Sequence, residues 1–198
     1  MRKLRCGALA AVAVVAATLM VPRSARADDT IKHPGDHPEY SVEIEPHGIF
    51  GWSNFYATST GFGVGGRFSI PVVQNGFIPS LNNNVAVSFG LDFLHYSGCP
   101  YLNYGCGANY VFFPVAMQWN FFVAPHWSVF GEPGIFIYHG FFDDTDYCVI
   151  NGRRYCDGPT VTGVGPAFYA GGRYHFNEHV TLTMRIGYPT ISIGASFM

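Results

Sequence analysis

Along most of this chain an apolar residue occupies every second position. The stretch "VTLTMRIGYPTISIGASFM" (180–198) sets Val180, Leu182, Met184, Ile186 and Tyr188 on one side, and past a Tyr-Pro break Ile191, Ile193, Ala195 and Phe197. Thr181, Thr183, Arg185, Gly187, Ser192, Gly194 and Ser196 fall opposite. A period of two is the signature of a strand with two unlike faces. It recurs at 42–52, 61–70, 85–93, 114–121, 128–138 and 161–176, so eight strands are predicted.

One face of nearly every strand is large and apolar; the other is small or charged. Val85, Val87, Phe89, Leu91 and Phe93, for example, oppose Ala86, Ser88, Gly90 and Asp92. If the bulky faces pointed inward, eight strands would crowd Phe, Leu, Trp and Tyr into a narrow interior. Glycine, serine and alanine suit the inside of a small barrel, with the apolar faces toward lipid. Closure also removes sheet edges that lipid could not satisfy. The predicted fold is all-β: an eight-stranded antiparallel up-and-down transmembrane β-barrel over 41–198, with a lipid-facing apolar exterior and a filled polar interior.

With both termini periplasmic, 53–60, 97–109, 139–160 and the Tyr188-Pro189-Thr190 break become outer loops. The turns at 71–84, 123–127 and 177–179 become inner ones. Two aromatic girdles are predicted: Trp119, Phe121, Trp127, Tyr174 and Phe176 inside, Tyr96, Tyr110, Tyr138 and Tyr188 outside. Pro46, Pro114, Pro133 and Pro166 lie within strands, where each removes a ladder donor, and are read as bulges. The 71–84 turn is long for a periplasmic hairpin.

The beginning of the chain sets the compartment. A basic start (Arg2, Lys3, Arg5), an apolar run at 7–21 and Ala25-Arg26-Ala27 form a secretory signal peptide, cleaved after Ala27. Residues 28–40 are read as a flexible tail, in which His33 and His37 are solvated; two prolines and a glycine argue against a metal-binding helix. Cleavage leaves 6 Lys+Arg against 13 Asp+Glu, a net charge of about −7 that excludes nucleic acid as a partner. Cys99, Cys106, Cys148 and Cys156 allow three pairings. Each neighbouring pair sits in its own polar, turn-rich stretch, so local disulfides Cys99–Cys106 and Cys148–Cys156 are expected in an oxidising compartment.

The pattern, carried by "GGRYHFNEHVTLTMRIGYP" and "ISIGASF", resembles the small outer-membrane barrels of Gram-negative bacteria, such as the OmpA transmembrane domain and OmpX. The resemblance covers roughly 40–198 and implies outer-membrane lipid as surroundings. It also implies recognition of the C-terminal strand by the assembly machinery, although here Phe197 is followed by Met198. The functions of such barrels are diverse.

Little enzymatic chemistry stands out, and no cofactor or metal is implied. "GFGVGG" (61–66) matches a dinucleotide fingerprint but runs on in strand alternation, with no helix to follow it. Glu43, Glu45, Asp92 and Glu132 share the inner faces with Arg67, Arg173 and Arg185, which is read as an interior ion-pair network that His47 joins. "LHYSG" (94–98) places His95 and Ser97 together on the lipid side. The motif resembles the catalytic His and Ser of PagL-type lipid A deacylases, with Gly98 where that motif has Asn. No acidic residue between Asp92 and Glu132 is available to orient the His. The expected role is therefore a non-enzymatic structural or surface-interaction barrel, with a narrow channel and a lipid A deacylase as alternatives.

Overall fold

The structure, a computed structural model, describes residues 29–51, 60–97, 107–142, 149–150, 153–154 and 160–198. The predicted signal peptide and Cys99, Cys106, Cys148 and Cys156 lie outside them. A 3₁₀ turn (Asp29–Lys32) precedes β1 (Glu43–Gly51), β2 (Gly61–Val73), β3 (Asn83–Ser97), β4 (Gly107–Ala124) and β5 (Trp127–Phe142). Then come the short β6 (Val149–Ile150) and β7 (Arg153–Arg154), followed by β8 (Thr160–His175), β9 (Val180–Tyr188) and β10 (Thr190–Phe197). Strands β1–β5 and β8–β10 form one closed antiparallel barrel in the order β1-β10-β9-β8-β5-β4-β3-β2; β6 and β7 pair only with each other. The eight predicted strands are these eight.

The alternation has the predicted sign. Phe62 and Val64 are each 67% exposed on the outside, whereas Glu45, Arg67 and Asp92 are at most 3% exposed. All seven Asp, Glu, Lys and Arg residues of the eight barrel strands are buried. A soluble fold inverts this relation.

Three features differ from the sequence reading. First, β3, β4 and β5 run to 15, 18 and 16 residues, well past the predicted 85–93, 114–121 and 128–138. Beyond Asp92 the inward residues Leu94, Tyr96, Tyr110 and Phe112 are themselves apolar, so both faces look alike and the polarity signal fades while the strands continue. Tyr96 and Tyr110, expected in an outer girdle, are wholly buried inside, and Tyr138 and Tyr188 pack against the same interior cluster. The other girdle is outward: Trp127 meets Tyr174 at 5.1 Å between ring centres and Tyr174 meets Phe176 at 5.2 Å.

Second, none of the four prolines read as bulges marks one. Pairing lapses toward one neighbour beside Pro46 (β1–β10), Pro114 (β3–β4) and Pro133 (β4–β5), then resumes in unchanged register. Register shifts occur elsewhere, between Pro71 and Val73 and between Phe122 and Ala124. A missing N–H costs the ladder one bond but need not insert a residue.

Third, two segments read as slack are tied down. In the 74–82 turn the Asn83 amide donates to the carbonyls of Ile78 (2.8 Å) and Leu81 (2.7 Å), while its oxygen accepts from Trp119 Nε1 at 2.9 Å. Gly76 bends with φ +56°, and a Cβ there would lie 1.7 Å from Asn83 Oδ1. Residues 29–40, expected as a free tail, form a strap across the mouth at which β1 begins and β10 ends. Asn82 N donates to Ile31 O (2.7 Å), Asn82 Nδ2 to Asp36 O (2.6 Å) and His37 Nε2 to Gln74 O (2.9 Å). The His37 ring stacks on Phe122 at 4.7 Å. Burial, and behind it the charge of Glu43, pushes the Tyr40 phenol up to about 12, so a neutral ring lies at the end of the strap.

Candidate functional site

The lumen is the one place where the charged side chains of the eight strands converge, and it is filled in two layers. The layer nearer the chain termini is ionic. Arg173 Nη2 meets Glu43 Oε1 at 2.8 Å, and its Nη1 donates to Asn120 Oδ1 at 2.8 Å. Arg185 holds two carboxylates, Glu45 through Nη1 and Glu132 through Nε at 3.0 Å. Arg67 lies 3.4 Å from Asp92 and 3.7 Å from Glu132, and His47 Nε2 lies 3.0 Å from Asp92 Oδ1. The seven charged residues named from the sequence are thus brought together, with His47 among them.

Neutral groups that the sequence reading left unassigned complete the layer. Gln118 donates to Glu132 at 2.5 Å, Asn120 to Asn84 at 2.7 Å, and Ser196 to Glu45 at 3.1 Å. Their inward parity was the available signal. Phe130 lies between two cations, 4.7 Å from the Arg173 guanidinium and 5.2 Å from that of Arg185. Buried charges require partners of this kind, because an isolated one costs several kcal/mol (order of magnitude). Glu43 Oε2 and Arg185 Nη2 have no hydrogen-bond partner among the described residues, so the layer depends on a few strong pairs.

Above Asp92 the filling changes to Ile49, Leu94, Tyr96, Tyr110, Phe112, Phe136 and Tyr169. Phe112 and Phe136 meet edge to face at 5.5 Å, and so do Tyr96 and Tyr110 at 5.6 Å. Rings fit here because glycine faces them across the ladder. Tyr96 pairs with Gly61, Tyr110 with Gly140, Phe136 with Gly165 and Tyr138 with Gly163. A Cβ at Gly165 would stand 2.6 Å from the Phe136 ring. An eight-stranded interior is only wide enough for its own side chains, and each ring takes the space of its neighbour's.

His95 is exposed on the barrel's outer surface, and its Nδ1 donates to Asn109 Oδ1 at 2.9 Å. The amide thus stands where an acid was sought. The Ser97 side chain lies outside the described residues. Among the described residues no group of three potential metal ligands occurs, and no helix is long and apolar enough to cross a membrane.

No family model and no curated protein matches the chain. Among solved structures it is similar to Ail, the attachment invasion locus protein of Yersinia pestis, solved in complex with the heparin analogue sucrose octasulfate. That match has 12% identity and a TM-score of 0.48, over 79% of this chain and 96% of that one. It is also similar to Neisserial surface protein A, with 12% identity and a TM-score of 0.49 over 80% and 97%. A third is the N-terminal barrel domain of Pseudomonas aeruginosa OprF, with 14% identity and a TM-score of 0.44 over 79% and 95%.

Proposed function

We propose that the protein is a sealed, non-enzymatic barrel of the bacterial outer membrane, exported through residues 1–27 and presenting its long loops outside the cell. The observation that carries this reading is the inversion of the strands: every charge turned inward, with Phe, Val, Ile and Leu outward. Such an exterior is stable only where lipid replaces water. Two dissimilar layers of packed side chains favour a closed lumen over a narrow channel. The work of the protein then lies at its surfaces, as a structural element or through contacts made by its loops, with β10 serving recognition by the assembly machinery.

Disulfides Cys99–Cys106 and Cys148–Cys156 would staple those loops. Each would close a short loop and contribute about 2–3 kcal/mol on the chain-entropy estimate, so the barrel should outlast reduction. Peptide mapping tests the pairing, and a bond between the two loops would refute it.

The test of the whole reading is fractionation with a bilayer measurement. The mature chain should sediment with the outer membrane, change gel mobility on heating and show little steady conductance in planar bilayers. Recovery in the soluble periplasm would overturn the membrane assignment, and large, stable single-channel steps would promote the channel.

A further inference from the structure

His47 occupies a place that the strands on both sides leave open for it. Its partners across the ladder are Gly65 on β2 and Gly194 on β10. A Cβ at Gly65 would lie 2.3 Å from Asp92 Oδ1 and 2.7 Å from His47 Nε2; one at Gly194 would lie 2.6 Å from His47 Cβ. Neither glycine has a positive φ. Their shared effect is to clear the volume in which the imidazole reaches Asp92.

Both ring nitrogens point at oxygens that accept while the carboxylates are ionised. Nε2 lies 3.0 Å from Asp92 Oδ1. Nδ1 lies 3.2 Å from the Glu45 carbonyl and 3.5 Å from Glu45 Oε1. A neutral imidazole donates from one nitrogen and accepts at the other, which would set a lone pair against an acceptor oxygen on one side; only the doubly protonated ring donates from both. The other charges near this position are Arg67 of β2 on Asp92, Arg185 of β9 on Glu45, and Glu132 of β5, shared by those two arginines. Around this ring Glu45, Asp92 and Glu132 meet two guanidiniums, Arg67 and Arg185, so three carboxylates face two permanent cations.

We infer that His47 is an imidazolium bridging Glu45 and Asp92, the third cation in a cluster of three carboxylates. Its role is to position the network: it closes the sequence Glu45–His47–Asp92–Arg67–Glu132–Arg185–Glu45 into a ring of charges around the barrel's inner wall.

The test is a rescue experiment on the full mature barrel refolded in detergent. His47→Gln keeps a polar side chain but removes a charge, leaving three acids against two bases in the cluster. Its folded-to-unfolded ratio in urea should fall by about 100-fold, the scale of a broken buried pair. Asp92→Asn in the same chain restores the balance and should recover most of that loss, although it deletes a further hydrogen bond. A packing role would make the double variant worse than either single one, and that result would overturn the inference. Nitrogen-15 NMR of the native ring decides independently: two N–H signals are expected. A ring with a single N–H, the other proton residing on Asp92, would refute the charge assignment even if both variants fail to fold.

Discussion

Between Glu43 and Asp92 the lumen is filled by ions; between Ile49 and Tyr169 it is filled by rings. The two layers occupy the same barrel and solve the same geometric problem, yet they fail differently. An ionic layer holds through a few strong pairs whose members are costly when left alone. An aromatic layer holds through many weak contacts, and its loss is graded with the volume removed. Position by position, the ionic layer is the more fragile and the aromatic layer the more forgiving.

Arg185→Ala should show the largest effect, because one deletion strands both Glu45 and Glu132. A loss of about 3–5 kcal/mol is expected, read from urea refolding followed by gel mobility, together with a conductance not expected of the native protein. Unchanged stability would erase the contrast between the layers. Phe136→Ala should cost about 3 kcal/mol and leave bilayer traces silent, since the charges below it keep their partners. A leak from that variant, and none from Arg185→Ala, would assign the seal to the rings instead.

Smaller effects sharpen the comparison. Gly171→Ala would bring a Cβ to 2.1 Å from the Phe130 ring, and about 1–3 kcal/mol should be lost to overpacking. The next residue is its control: a Cβ at Gly172 would meet nothing nearer than 3.9 Å, so Gly172→Ala should be nearly neutral. Equal losses at the two positions would mean that ring–glycine matching is not what sizes the interior. Ser97→Ala should change stability by no more than about 0.5 kcal/mol, and lipid A from expressing cells should keep its mass. Loss of an acyl chain that disappears with Ser97→Ala would establish the deacylase.

The contrast also explains what could be read from the sequence. Where the lumen is ionic, parity alone separates Arg67 from Phe68 and Asp92 from Phe93, and strand, face and interior charge are legible together. Where the lumen turns aromatic, Tyr110 and Phe112 look no different from the outward Val111 and Phe113, so the strand dissolves into an apparent loop. The glycines were legible as lining; their pairing with particular rings needed the register. Other features rest on single side chains acting across the chain: Asn83 organising its turn, His37 anchoring the strap, Asn109 meeting His95. No local pattern announces such contacts.

The strap bears on the order in which the molecule can be built. Its tethers run from Ile31 and Asp36 to Asn82 and from His37 to Gln74 and Phe122, none of them beyond β4. The pairing that closes the barrel joins Ile44 to Phe197, nearly opposite ends of the chain. Contacts between sequence neighbours can form before those between distant segments, because shorter loops cost less entropy to close. A chain with its strap docked already has the root of β1 held beside β2–β4, with one edge unpaired and facing the side from which β10 must arrive. The tethered strap turns a search by two loose strands into a search by one.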